Sequence, residues 1–391
     1  VFGANLGTLG PDPKTAVILV PSGGIMNRRG FLKQGLALSA GALATGLPSA
    51  PRRALASTHP AKWRTFEVVT KVEPAAPSGV TRAWVPVPLM GETDYFKRGG
   101  DTWKGNGAVM RLERDPKYDA GFVYTEWPAA EKAPVIEITS RFSTRDRHID
   151  LSKPPAGAAK EDPAVLRTYL EPTALIPTDG IVLETAQQIV KGHSGDLAKA
   201  RAIYEWVVDN TFRDPKVKGC GLGDIKTMLE TRYLGGKCAD LNALYVGLAR
   251  AAGLPARDVY GVRCADSAEF KSLGKGGDIT RAQHCRAEVH LTGYGWVPVD
   301  PADVRKVVLE EKPGGSLPLT DPAVQKARAK LFGAWEMNWL AYNYAHDLKL
   351  PGSGGKPIAF LMYPQAEVAN ERLDSLDPAN FRYTITSKEV S

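Results

Sequence analysis

The chain is poor in the patterns that most often advertise chemistry. Its 391 residues hold four cysteines and six histidines, with no C-x-x-C pair and no H-E-x-x-H, so the usual spacings of a structural zinc site and of a zinc peptidase are missing. No serine stands in a G-x-S-x-G elbow, which removes the common serine-hydrolase arrangement. The glycine-rich stretches GCGLGD (219–224) and PGSGGK (351–356) lack the strand-turn-helix setting and the spacing of a nucleotide loop, and read as turns. The mildly apolar segment 35–47 is short and rich in Gly and Ala, below what a membrane span requires.

Net charge is small once its location is considered. The formal net charge is +7, but residues 1–56 carry six Lys or Arg against one Asp, so five of the seven excess positive charges sit there. The remainder supports neither nucleic-acid binding nor a role at a membrane surface. MNRRGFLK (26–33), the segment 35–47 and then Ala54-Leu55-Ala56 together resemble a twin-arginine export signal ending in a signal-peptidase site. That resemblance implies a signal over 26–56, passage through the twin-arginine translocase as a folded protein, and a periplasmic location. Residues 1–25 then read as an upstream extension before a natural start at Met26. No cysteine follows the signal until Cys220, which argues against a lipoprotein anchor.

What the chain does contain is a cysteine in an informative place. In GGKCADLNALYVGLARAAGLPAR, Leu241, Leu244, Tyr245, Leu248 and Ala252 recur at helical spacing, and Cys238 begins the same stripe. Gly235 and Gly236 precede this helix and Gly253 and Pro255 stop it. A thiol in the first helical turn meets unpaired backbone N–H groups and the positive end of the macrodipole, both of which favour thiolate. Its own N–H is available to an oxyanion.

A base and its orienter follow in HCRAEVHLTGYGWVPVDPAD. Alternation through Val289 and Leu291, then Trp296–Val299, predicts an antiparallel hairpin. A three-residue loop over 292–294 sets 291 opposite 295 and 286 opposite 300, which leaves His284, at the start of the first strand, a diagonal neighbour of Asp300 at about 7–8 Å between backbones. Their side chains can close that gap.

GGKC followed by ADLNAL, then RAAGLPAR, H-x-x-x-EV and YGWVPVDP resembles the transglutaminase-like superfamily over roughly residues 180–305. The resemblance implies a papain-like fold, a Cys238, His284 and Asp300 triad, and attack of the thiolate on an amide or ester carbonyl with an acyl-enzyme to follow. Water would then give hydrolysis and an amine would give transfer. It also implies that the loop Cys220–Asp224 lies beside the site. One departure is Arg286, where the family commonly has an aromatic residue; a charge there is expected to alter the substrate groove or its acidity preference.

The fold class expected is α+β, a papain-like/transglutaminase-like core (160–305) preceded by an antiparallel β-sandwich-like domain (60–150) and followed by a carboxy-terminal extension (306–391) that packs on the core. TFEVVTKV, TRAWVPVP, GFVYTEW and VIEITSRF alternate between Gly, Pro and Asp clusters, and a Pro-, Lys- and Ala-rich stretch, 152–163, hands over to helices at 182–191 and 197–210 with Asp196 as N-cap. Trp206 reads as core; it and Phe212 are the aromatics of this region that stand to reach the site. Phe332, Trp335, Trp339 and Tyr342, spaced by three, four and three, predict a helix with an aromatic face that either packs in the core or walls the substrate groove. Strands are expected near 359–363 and 381–387.

A disulfide is the bland alternative for any cysteine of an exported protein. Cys264 and Cys285 end and begin neighbouring predicted strands and are the pair to form if any disulfide exists, the state of Cys220, Cys264 and Cys285 staying open, while Cys238 is expected to stay free. A zinc site from Cys238, Asp240, His284, Cys285 and His290 is disfavoured because these ligands alternate across strand faces; no metal or cofactor is expected. Asp240 reads as helix-start chemistry and His290 as structural. Two functions stay open: a periplasmic cysteine peptidase, amidase or acyltransferase acting on a peptide or protein substrate, with the cell envelope as its source, and a catalytically silent binding or assembly module.

Overall fold

Six strands open the architecture: β1 (Arg64–Pro74), β2 (Thr81–Pro86), β3 (Phe96–Gly105), β4 (Val109–Arg114), β5 (Gly121–Trp127) and β6 (Ile136–Thr144). Phe66, Val68, Thr70 and Val72 of β1 are buried while the residues between them are not, the two-residue period of a strand with one face in a core. The structure, a computed structural model, describes residues 62–390 apart from 76 and 155–159. The export signal, the extension before it and part of the 152–163 linker lie outside the described residues.

Helices α1 (Gly180–Val190), α2 (Asp196–Asn210) and α3 (Cys238–Ala251) come next. They are followed by β7 (Ala256–Arg263), β8 (Arg286–Leu291), β9 (Gly295–Val299), α4 (Pro301–Glu310), β10 (Trp339–Asn343), β11 (Gln365–Val368) and β12 (Phe381–Val390). One five-stranded sheet runs 277–278, β12, β1, β6, β3 and a second runs 371–372, β11, β2, β5, β4. Val72, Ile138 and Phe381 of the first share a core with Val85, Val123 and Ala366 of the second, which makes the expected sandwich. The tail therefore does two jobs: 339–343 pairs with β7 in a separate four-stranded sheet, while strands within 365–390 complete both sheets of the sandwich.

The sheet that positions the site has the order β9, β8, β7, β10. Helix α3 packs on it and is buried on every side from Cys238 to Arg250, as expected for a central rather than a surface helix. The hairpin has the predicted register: Leu291 pairs with Gly295 and Ala287 with Val299, and Gly293 and Gly295 take φ of 82° and 73° at the turn. Asp300 is thereby delivered to the start of α4, where its carboxylate caps the helix by accepting from the Asp303 N–H. Among the described residues no helix is long and apolar enough to cross a membrane.

Two local expectations are corrected. The aromatic helix at 332–346 is instead three strands, Ala334–Trp335, β10 and His346–Leu348. Every residue of β10 is buried, and a run buried on both faces carries no period that separates strand from helix. Asp196 is not the N-cap of α2. Gly195 holds that position with φ 80°, and the Asp196 carboxylate instead accepts from the backbone N–H and hydroxyl of Thr292 at 3.3 and 2.6 Å, tying the helix to the hairpin tip.

Candidate active site

Cys238 occupies the first turn of α3 because Asp240 organises everything before it. One Asp240 oxygen accepts the N–H of Lys237 at 2.9 Å and the other accepts those of Leu222 and Gly223, both at 2.9 Å. Burial pushes the Asp240 carboxyl up, against the pull of those three amides. Gly221, at φ 94°, could not be replaced: an added Cβ would lie 1.8 Å from an Asp240 oxygen. The Ala239 N–H donates to the Cys220 carbonyl at 2.9 Å, so the 220–224 loop is clamped beside Cys238 as the resemblance implied. Cys238 is the first residue of α3, so its N–H has no acceptor within the helix and is available to an oxyanion.

His284 lies two residues before β8, with its N–H donating to the Gly261 carbonyl at 3.0 Å. Its Nε2 is 2.8 Å from Asp300 Oδ2 and 3.3 Å from Asp303 Oδ2. The hydrogen bond goes to Asp300, since Asp303 Oδ2 lacks hydrogen-bond geometry to any partner among the described residues. That leaves Nδ1 free of the aspartates, and the imidazole lies near enough to Cys238 to lower the thiol's pKa. Trp339 pins the segment by donating Nε1–H to the His284 carbonyl at 2.8 Å. Asn242, one turn along α3, donates to Asp300 Oδ1 at 3.2 Å and to the Cys285 carbonyl at 2.8 Å.

Electrostatics favour a charged imidazole. Burial and Arg263 push the His284 pKa down, but Asp303 and Asp300 outweigh them and it stands raised to about 9. Burial would raise the Asp303 carboxyl, yet Arg263, 2.6 Å away, and His284 hold it well below the usual carboxylate range. Asp300 is pushed up by burial and by the Asp303 charge.

The thiol side is a cluster of sulfur. Cys220 and Cys285 pack with Cys238 in one buried cluster, and with His284 they pull its pKa well below that of an ordinary thiol despite burial. Cys220 Sγ is also 3.3 Å from the Gln283 carbonyl; its single proton serves one acceptor at a time, and a thiolate is the stronger. Cys264 and Cys285, the candidate pair had any disulfide existed, are not bonded. All four cysteines are free; Cys285 sits with Cys238, whereas Cys264 lies in a different core with Trp335 and Trp339. Met362 and Tyr363 pack over the cluster, and Cys238 is 4 % exposed.

The three residues singled out in the sequence, Cys238, His284 and Asp300, are thus brought together. Arg286 is corrected: it does not face a groove but is buried, 3.7 Å from Asp300 and between the rings of Trp335 and Trp339. Asp303, Arg263 and Asn242 were missed as site residues, and Cys220 was placed beside the site only as part of its loop. The signal for Asp303 was present in VDPAD, where a helix-starting Asp-Pro places a second carboxylate three residues on. Phe212 remains outside, 40 % exposed and edge-on to Tyr233, and Trp206 packs against the main core.

A cation has little to gain here. His284, Asp300 and Asp303 offer ligand atoms within 4.8 Å of one another, but Arg263 already neutralises Asp303 and Arg286 lies beside Asp300. The five residues considered for zinc do not converge: Asp240 is committed to backbone amides, and His290 packs edge-on to Trp296 with centroids 5.5 Å apart.

Comparison with known proteins agrees with this core. The sequence profile of the transglutaminase-like superfamily matches residues 183–301. An uncharacterized protein of Haemophilus influenzae is 35% identical over 344 residues, covering 84% of this chain and 90% of that protein. Among solved structures, a candidate cysteine protease from Cytophaga hutchinsonii is similar over 84% of this chain and 99% of its own, with 15% identity and a TM-score of 0.47. The periplasmic domain of TgpA from Pseudomonas aeruginosa is similar over 61% of this chain and 87% of its own, with 17% identity and a TM-score of 0.31. From the profile match and the Haemophilus relative, the chain belongs to the transglutaminase-like superfamily.

Proposed function

We propose that the protein is a periplasmic cysteine hydrolase or acyltransferase that acts on a peptide-like amide through Cys238, His284 and Asp300. The observation that carries this reading is the buried His284 ring held by Asp300 at 2.8 Å through Nε2, close enough to Cys238 for the imidazole to draw the thiol's pKa down. The Cys238 thiolate attacks the carbonyl carbon, and the oxyanion is met by the Cys238 N–H at the positive end of α3. The imidazolium gives its proton to the leaving amine as the C–N bond breaks, leaving a thioester on Cys238. Water, deprotonated by the now neutral His284, then releases the acid and regenerates the thiolate. Asp300 keeps the ring oriented and supports its charge, and Asn242, Asp303 and Arg263 are positioning residues. An amine in place of water would make the same site a transferase. Hydrolysis is preferred because water is abundant and no amine-binding group is evident. The location rests on the export signal at 26–56.

The closed cover over Cys238, 4 % exposed, favours the rival reading of a silent binding module. Incubation with cell-envelope extract, acid quenching and mass spectrometry of the Cys238 peptide separates the two. An acyl adduct on Cys238 that is absent from His284→Ala supports the enzyme, and absence of any adduct from every envelope fraction rejects an envelope substrate.

A further inference from the structure

Acyl transfer uses one thiol, yet three are gathered. Cys220 and Cys285 flank Cys238 in one buried cluster, and neither holds substrate or proton in the reaction above. We propose that Cys220 is a resolving thiol, and that it and Cys238 form a site of reversible oxidation, closing into a disulfide after the Cys238 thiolate attacks a peroxide.

Backbone placement selects Cys220 over Cys285. The Ala239 N–H donates to the Cys220 carbonyl at 2.9 Å, tying residue 220 to the residue that follows Cys238, and the two cysteines pack in one cluster; a disulfide between them needs about 4.4–6.8 Å between Cα atoms. Cys220 lies on a folded loop between Gly219 and Gly221, at φ 57° and 94°, so its side chain can turn without disturbing a strand. Cys285 is fixed differently. Its carbonyl accepts from Asn242 at 2.8 Å, and it follows His284 directly, so drawing it toward Cys238 would pull His284 from Asp300. Cys264 belongs to another core.

The chemistry balances without a group from elsewhere except the oxidant. Hydrogen peroxide accepts the electron pair of the Cys238 thiolate; its O–O bond breaks, giving a sulfenic acid and hydroxide. The Cys220 sulfur then attacks the sulfenyl sulfur, its proton leaves with the sulfenic oxygen as water, and the S–S bond forms. A thiolate in an electropositive pocket is the form that peroxides oxidise. The apolar cover of Met362 and Tyr363 admits a small oxidant more readily than a bulky thiol, so the disulfide is formed in place and opened by a small reductant. A capped nucleophile of this kind is protected from the irreversible sulfinic state.

The test uses the reduced full chain exposed to hydrogen peroxide, with peptide mass mapping under non-reducing conditions and alkylation of Cys238 before and after dithiothreitol. The expected result is a linked 220–238 peptide, loss of alkylation by roughly tenfold or more, and recovery on reduction. In Cys220→Ser the loss should persist because Cys238 proceeds to the sulfinic acid, while Cys285→Ser should behave as the unaltered protein. A Cys238–Cys285 link, sulfinic Cys238 with no link in the unaltered chain, or full recovery in Cys220→Ser would each overturn the proposal. The peptide map of the unaltered chain decides the matter even where a variant fails to fold. Because the readout is the thiols themselves, its failure is distinct from failure to trap an acyl adduct.

Discussion

Two buried histidines, each facing an aspartate, stand near Cys238 and are driven in opposite directions. His284 Nε2 is 2.8 Å from Asp300 and its pKa is raised to about 9. His346 Nε2 is 3.4 Å from Asp258 without a hydrogen bond, and burial with the nearby Arg250 charge pushes its pKa well below the ordinary value. The difference lies in what holds the carboxylate. Asp303 is kept ionised by Arg263 at 2.6 Å, and together with Asp300 it retains the imidazole proton. Asp258 has no hydrogen bond on either oxygen, and burial raises its pKa to about 7. A buried Asp-His contact is therefore charged only where another cation has already secured a carboxylate charge, and that is the side on which the thiol lies.

The largest effect that sharpens this contrast is on turnover. His284→Ala should lower amide hydrolysis by about a thousandfold or more, since removing a triad member leaves only binding and the oxyanion site; steady-state rates on a trapped donor measure it. His346→Ala should leave that rate within about twofold, because the two rings share no partner.

Next in size is stability. Arg263→Met strands the Asp303 carboxylate and should cost about 3–5 kcal/mol in denaturant unfolding, as for any buried pair broken from one side. It should also let the His284 pKa rise, because the Arg263 charge pushes it down. The opposite outcome is expected for Asp258→Asn. A carboxyl whose pKa rises on folding from 3.8 to about 7 contributes stability that is fully present below pH 3.8 and lost as pH rises through 7. The Asn variant should match the native protein at pH 4 and exceed it above pH 7 by at most about 4 kcal/mol.

The smallest effect is a pH limb. His284 loses its proton near pH 9, so turnover, which needs the imidazolium as acid, should fall above that pH. Alkylation of Cys238, which needs only thiolate, should not fall with it.

Legibility in the sequence followed the range over which each feature is encoded. The α3 boundaries and the hairpin register are set by residues within a few positions of each other, and 291 opposite 295 was readable from one turn. With that register, Asp300 could be aimed at His284 on paper. Convergence of Cys220 and Cys285 on Cys238 depends on a loop clamped by Asp240 and on β7 pairing with β8, which no local pattern specifies. Arg286 was misread for the same reason: its burial depends on Trp335 and Trp339, about fifty residues later in the chain. The 332–346 segment failed because aromatic residues at helical spacing also fit a strand covered on both faces.

The central claim is a thiolate–imidazolium pair at rest, and the thiolate's ultraviolet absorbance, titrated in the native chain and in Cys238→Ser, tests it most directly. The account predicts a difference signal already present at pH 6 and lost from that range in His284→Ala. A Cys238 signal that rises only around pH 8.5, as for a free thiol, would contradict it.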